Sequence, residues 1–278
     1  AEMMQNSRRA GATKVEFTID AEARRITVTD DGCGLGDFNN LLQLCESGWN
    51  ESVMLTDSPF GMGFFSVFFA CDQVVVRSRG KRMAANLDDI QSKRELLVID
   101  DEQPVHAGTV IEMHGVAQKL LEPGIAWMAN YSKFMHPTLN VEAAHALVRQ
   151  ATGFPIPVFV NGVELKRPYA LANLKTTVTT VGHIYVPGIH CGGTLALPKY
   201  GSVRPSLFLQ GLPIARLHDD VDAPCVHLDP TVFAARVPDR TALFDHQAQE
   251  TKINQAVVNL VRQHLVQRPQ QDVRGRLQ

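Results

Sequence analysis

Residues 15–34 read VEFTIDAEARRITVTDDGCG, and their alternation decides the fold class. Val15, Phe17 and Ile19 alternate with Glu16 and Thr18; Ile26 and Val28 alternate with Thr27 and Thr29. This period of two predicts a pair of strands, each with one buried face, and the polar run Ala21 to Arg24 between them predicts a turn. The second strand of this antiparallel hairpin ends in Asp30-Asp31-Gly32-Cys33-Gly34. Gly32 and Gly34 let a flat ring approach the backbone, and the Asp30 carboxylate can accept from an exocyclic amine. The same residues also suit a plain tight turn after a strand.

Upstream, Ala1 to Ala10 has helix-forming composition and stops at Gly11, a C-cap residue. Glu2 and Asn6 lie four residues apart and share a helix face. A carboxylate and a carboxamide stacked in this way suit a water polarised beside a hard cation such as Mg²⁺, although a solvated helix face reads identically. Downstream, Ser58-Pro59-Phe60-Gly61-Met62-Gly63-Phe64-Phe65-Ser66 sets two glycines before an apolar segment, Phe64 to Ala70, read as a helix. Backbone amides at such a start can face phosphate oxygens. The stretch lacks the Gly-Lys-Ser/Thr of a Walker A loop, and its glycines do not follow the first strand of a Rossmann unit. Gly108-Thr109 opens a later strand, where a hydroxyl can bind a base nitrogen or serve structure alone.

The rest of the chain reads as α+β. Strands are expected at Val74 to Arg77, Thr109 to Met113, Pro155 to Val163, His183 to Val186 and Ser206 to Gln210. Helices are expected at Phe38 to Cys45, Asn140 to Gln150 and Gln249 to Val266, and Lys81 to Gln103 reads as a polar excursion. Asn161-Gly162 is a turn dipeptide. The 278 residues are 45% hydrophobic and 20% charged, enough to bury a core and too apolar for a disordered chain. Lys and Arg total 27 against 29 Asp and Glu, so no global basic field drives nucleic-acid binding. No apolar run approaches the ~20 residues of a membrane-spanning helix. Five scattered cysteines without a Cys-x-x-Cys pair point to a reducing, cytoplasmic compartment and away from a zinc site. The histidines have no metal-ligand spacing. The chain opens without Met, so a longer parent is expected.

Glu-x-x-x-Asn, Asp-x-Gly-x-Gly, Gly-x-Gly before an apolar segment and Gly-Thr on a strand occur here in that order. The order resembles the GHKL ATPase superfamily, with its Bergerat nucleotide-binding fold. The run Glu2 to Thr13 is similar to the version in MutL and MORC proteins, and Ser58 to Val76 to that of the ninety-kilodalton heat-shock chaperones. The resemblance covers roughly residues 1–115. It implies a Bergerat α/β sandwich at 1–118 that binds ATP with Mg²⁺. Glu2 would be the general base, Asn6 the Mg²⁺ ligand and Asp30 the acceptor for the adenine amino group. Gly32 and Gly34 would shape the base pocket, Gly61, Met62, Gly63 and Phe64 would contact phosphates through backbone amides, and Thr109 would help hold the adenine. Glu46 to Pro59 would be the lid. Histidine kinases are disfavoured, since they lack a glutamate at this position.

Residues 119–278 resemble, less sharply, the transducer domain beside this ATPase, a ribosomal-protein-like fold with a left-handed βαβ crossover. Val237 to Phe244 is similar to the chaperone stretch that carries a γ-phosphate sensor, which nominates Arg240, with Lys199 a weaker candidate. The resemblance implies a slow, chaperone-like ATPase switch that closes its lid and dimerises with ATP. A MutL- or MORC-like DNA-handling ATPase and a non-catalytic nucleotide-binding scaffold are the alternatives. Client protein or DNA would be engaged through regions outside these residues. Two departures stand out, one of them a short lid with no Gly-rich hinge pair. Where the chaperone and MutL patterns usually carry Asp, seven residues after the glutamate, this chain has Arg9. Arg9 shares the face of Glu2 and Asn6, so a phosphate contact, a pairing with Glu2 and an outward orientation all stay open.

Overall fold

The computed structural model describes residues 1–41, 64–92, 96–105, 107–124, 138–192, 205–214, 223–236 and 242–267. The chain divides into two compact units, Ala1–Ala170 and Leu171–Gln278.

The first unit opens with helix α1 (Glu2–Arg9), which buries Met3, Met4, Gln5 and Ser7. It ends as predicted at Gly11, whose φ of 71° is left-handed and whose amide donates to the Arg8 carbonyl at 3.0 Å. The hairpin follows as β1 (Val15–Asp20) and β2 (Arg25–Asp30), antiparallel from Val15↔Asp30 to Asp20↔Arg25. Val15, Phe17, Ile19, Ile26 and Val28 are all buried, as their alternation requires. Each such side chain contributes up to about 1.5–3 kcal/mol, which is what holds the register.

The remaining strands of this unit are β3 (Gln73–Ser78), β4 (Lys81–Asn86), β5 (Val98–Asp100), β6 (Thr109–His114), β7 (Val158–Val160) and β8 (Val163–Glu164). They form a sheet of order β5-β4-β3-β6-β2-β1-β7-β8. Every neighbouring pair is antiparallel except β1 and β7. β3 lies between β4 and β6 and buries Val74, Val75 and Val76 in succession, as a strand covered on both faces does. Asn161-Gly162 makes the predicted tight turn, with φ of 48° and 77°. The Asn161 side chain also accepts from the Ile19 amide at 2.7 Å, prolonging the β1–β7 seam.

Three expectations change. The polar excursion holds two strands, β4 and β5, joined through a short helix, Leu87–Gln91, that is capped by Asn86. The β3–β4 turn, Arg79-Gly80, with φ of 50° and 73°, supplies the twist that a two-residue hairpin needs. Phe64–Phe69 is a 3₁₀ helix rather than an α-helix, and so is Phe38–Leu41. The segment at Pro155 to Val163, assigned beyond residue 119, supplies β7 and β8 of the first sheet, so the compact unit runs on to Ala170.

The second unit has β9 (Thr177–Thr179), β10 (Gly182–Tyr185), β11 (Ser206–Leu209), β12 (Leu212–Ile214) and β13 (Cys225–Leu228) in the order β12-β11-β13-β10-β9. β11 and β13 are parallel. The long helix His246–Gln267 places Ile253 and Val257, both fully buried, in a core with Ile184, Val226, Leu228 and Leu243.

Candidate functional site

The site lies where α1, the end of β2 and the start of β6 meet. Glu2, Asn6 and Arg9 follow one another at i, i+4 and i+7 on one stripe of α1, all partly buried. Ser7, buried on the adjacent face, donates from Oγ to Asp30 Oδ2 at 3.0 Å and lies 3.1 Å from the Met3 carbonyl. The other carboxylate oxygen of Asp30 accepts from the Gly32 amide at 2.9 Å. Thr109 stands opposite Asp30 in the β2–β6 ladder and opposite Ser78 in the β3–β6 ladder.

The glycine loop is fastened from three sides. The Cys33 amide donates to the Ala10 carbonyl at 2.8 Å, tying the loop to the end of α1. Arg79 donates from Nε and Nη2 to the Cys33 carbonyl at 3.1 and 2.8 Å. Ser78 Oγ accepts from the Leu35 amide at 2.9 Å and donates to the Gly108 carbonyl at 2.6 Å. A Cβ on Gly108 would stand 1.8 Å from the Asp30 carbonyl oxygen, and its φ of 73° is left-handed, so only glycine fits there. Gly34, φ 72°, is fixed likewise, with its Cβ position 2.7 Å from Ser78 Oγ. At Gly32 a Cβ would meet Ala10 Cβ at 2.7 Å. These glycines permit close packing of the loop against its own supports.

Burial raises the Asp30 carboxyl above its ordinary value, while the Gly32 amide, the Ser7 hydroxyl and the Thr109 amide pull it back. Asp31 goes the other way. The Thr13 hydroxyl, followed by the Lys14 and Thr13 amides, holds its carboxyl below the usual value, pinning the α1–β1 connection. Buried thiols take no part: desolvation pushes Cys71 to about 11 and Cys225 to about 12.

Among the sequence-nominated residues, the structure gathers Asn6, Asp30, Gly32, Gly34 and Thr109 around this junction, and sets Glu2 on the stripe of Asn6. Phe64 starts its 3₁₀ helix and is buried, edge-on to Phe68 at 5.7 Å. Gly61, Met62, Gly63, Arg240, Lys199 and the Glu46 to Pro59 segment lie outside the described residues. Ser7, Ser78 and Arg79 are site residues that sequence reasoning missed. Arg9 donates from Nη1 to Asn6 Oδ1 at 3.2 Å, a contact the sequence did not announce.

Comparison with known proteins agrees with this geometry. Residues 1–119 match the family described as Histidine kinase-, DNA gyrase B-, and HSP90-like ATPase. The matched segment is a GHKL ATPase domain. The chain is similar to the chaperone protein HtpG of Nitrobacter winogradskyi, 31% identical over 121 residues, which is 36% of this chain and 18% of that protein. HtpG of Serratia proteamaculans is 33% identical over 89 residues, 27% of this chain and 14% of its own length. HtpG of Pectobacterium atrosepticum is 33% identical over 91 residues, 28% of this chain and 14% of its own. The matched stretches thus span less than a fifth of these relatives. The GHKL domain is similar to that of the ninety-kilodalton heat-shock chaperones. Among the described residues no helix is long and apolar enough to cross a membrane.

An adenine amino group fits the acceptor present. A carboxylate offers about four lone-pair positions. The Ser7 hydroxyl and the Gly32 and Thr109 amides use no more than three, leaving one for an amino group. A divalent cation on Asn6 does not fit the same way, because the carboxamide oxygen already receives a guanidinium. Among the described residues no cluster of three or more His, Cys, Asp or Glu is placed to hold a metal ion.

Proposed function

We propose that this chain binds and slowly hydrolyses ATP as a chaperone-like molecular switch. The observation that carries the reading is the Asp30 carboxylate, half-buried at the end of β2, fastened by Ser7 and Gly32 and facing Thr109 in the ladder. In this reading Asp30 accepts the adenine amino group and so selects adenine over guanine, which presents a carbonyl at that edge. Thr109 supports the base, and Gly32 and Gly34 bring backbone close to it. Glu2 takes the proton of the attacking water. Gly61, Met62, Gly63 and the Phe64 amide contact phosphate, and Arg240 senses the γ-phosphoryl charge. Asn6 as a Mg²⁺ ligand is the assignment least supported by the geometry, and no step here runs through the metal.

In this proposal residues 1–118 carry nucleotide binding and the transducer lies within 119–278, beyond the β7–β8 pair that completes the first sheet, with Glu46 to Pro59 closing over the nucleotide and the closed form pairing as a homodimer in the cytoplasm. Client protein or DNA is engaged elsewhere in the parent protein. The contact between Arg9 and Asn6 favours a second reading, a nucleotide-binding scaffold without turnover. Phosphate release at high protein concentration, run beside calorimetry with ATP, separates the two. Glu2→Ala is expected to keep ATP binding and abolish release. Release unchanged by that substitution overturns the catalytic assignment, and absence of adenine-nucleotide binding overturns the whole reading.

A further inference from the structure

The turn between β3 and β4 supports both segments that meet at the candidate base site, and its first residue is one that its own backbone disfavours. A two-residue hairpin turn with positive φ at both positions favours Asn-Gly, because most other side chains crowd the backbone there. Gly80 fits, whereas Arg79 holds a φ of 50°. A residue kept in a strained conformation points to a use for its side chain. The Arg79 side chain crosses to the glycine loop, where Nε and Nη2 both donate to the Cys33 carbonyl, at 3.1 and 2.8 Å. Its Cγ stands 3.2 Å from the Cβ position of Gly34, so the stem lies along the loop that the guanidinium holds. The rest of the turn holds the segment that leads into Gly108-Thr109. The Gly80 amide donates to the Val105 carbonyl at 3.0 Å, and the Gly80 carbonyl accepts from the Asp101 amide at 2.9 Å. Ser78 Oγ reaches the Gly108 carbonyl at 2.6 Å. Ser78 is buried and Gly80 half-buried, but Arg79 is exposed, so its bonds to Cys33 can open without unpacking the core.

We propose that Arg79 is a latch on the glycine loop, a positioning residue that sets how long adenine nucleotide stays bound. This rests on the nucleotide-binding reading above, which sets Gly32 and Gly34, the neighbours of Cys33, against the base. With the Cys33 carbonyl held, the loop keeps the shape that a base meets. With it released, the loop moves about its glycines and the base leaves sooner. Arginine is retained at a position that asparagine fits better because asparagine is too short to reach Cys33.

The test compares wild type, Arg79→Asn and Arg79→Lys in the intact chain by three measurements. These are urea unfolding, amide exchange at Cys33 and Leu35, and stopped-flow release of a fluorescent ADP. The two amides report on the loop because they donate to the Ala10 carbonyl and to Ser78 Oγ. Arg79→Asn relieves the backbone and removes the latch. Its urea midpoint is expected to equal or exceed that of wild type, while exchange at both amides and ADP release each quicken by roughly tenfold, the range of one charge-assisted contact. Association is expected to change by less than about threefold, since affinity differences within one site lie mostly in dissociation. Arg79→Lys keeps the charge but not the paired donors, and is expected to recover part of both losses. ADP release that is unchanged in a folded Asn variant overturns the proposal and leaves the nucleotide-binding reading standing. A urea midpoint that falls together with faster release also overturns it, since Arg79 then serves the fold and not the loop alone. Wild type that binds neither ADP nor ATP removes the reading on which it rests, and the proposal with it.

Discussion

Replacing Asp30 by Asn separates the role of this side chain in the fold from its role in recognition. Ser7 has one hydroxyl proton and two acceptors within reach, Asp30 Oδ2 at 3.0 Å and the Met3 carbonyl at 3.1 Å. In the variant the carboxamide oxygen keeps the Gly32 amide, and the new NH₂ faces Ser7 Oγ. Ser7 then accepts from Asn and gives its proton to Met3, so no buried donor is left without an acceptor. The pull from the Thr109 amide weakens, at a cost of about 1 kcal/mol at most. Ionisation works against this loss. Burial raises the Asp30 carboxyl, so the folded chain binds that proton more tightly than the unfolded one. The stability such a group contributes is complete below its unfolded pKa and is lost as pH rises through the folded pKa. Above the folded pKa the wild type has lost it, and Asn, which does not ionise, has not. The expected change in unfolding free energy at pH 7 is therefore within about 1 kcal/mol of zero. Adenine affinity behaves differently. The exocyclic amine loses a charge-assisted acceptor worth about 1.5–3 kcal/mol, a drop of one to two orders of magnitude in binding. Urea unfolding and calorimetry with ADP read the two effects separately. Full ADP affinity in a folded Asn variant refutes the assignment of Asp30 to the base. Loss of the fold refutes the hydrogen-bond exchange at Ser7.

Ser78→Ala removes the hydroxyl that joins the Leu35 amide to the Gly108 carbonyl, and is expected to cost about 2–4 kcal/mol in urea unfolding, more than any exposed serine. Gly32→Ala drives a methyl to 2.7 Å from Ala10 Cβ, so a loss of about 1–3 kcal/mol with weakened ADP binding is expected by the same two assays. Asp31→Ala is expected to speed amide exchange at Thr13 and Lys14. Because its carboxyl is held low in the folded chain, this protection is present above the unfolded pKa and fades as pH falls through the folded one, which exchange measured between pH 6 and pH 3 tracks.

Much of the fold was legible because its signals are periodic. The buried alternation of Val15, Phe17 and Ile19 marks β1, and the spacing of Ile253 and Val257 marks the last helix. β4 was not legible. Its buried residues are only Met83 and Ala85, and alanine has little preference for strands. What makes Lys81–Asn86 a strand is its neighbour: the Arg79-Gly80 turn returns the chain alongside three buried valines of β3. The extent of the first unit was hidden for a related reason. β7 pairs in parallel with β1 across more than a hundred residues, and nothing in Val158-Phe159-Val160 states which strand it will meet.

The site divides along the same line. Glycines and acids announce themselves by residue type, so Asp30, Gly32, Gly34 and the Gly108-Thr109 pair could be picked out before their proximity was known. Ser7 and Ser78 could not, since a serine carries the same local preferences whether it faces water or a buried carboxylate. Their roles are created by register. Asp30 lies opposite Thr109, and Thr109 lies opposite Ser78, so one residue of β6 aligns the acid from β2 with the hydroxyl from β3. A slip of one residue in either ladder would turn that residue to the other face of the sheet and dissolve the constellation while leaving every motif in the sequence intact. Recognition here is therefore a property of the β2–β6–β3 ladder as much as of the motifs. The apolar residues that set the ladder, Ile26, Val28, Val74, Val76 and Met113, hold the site in place through the register they impose.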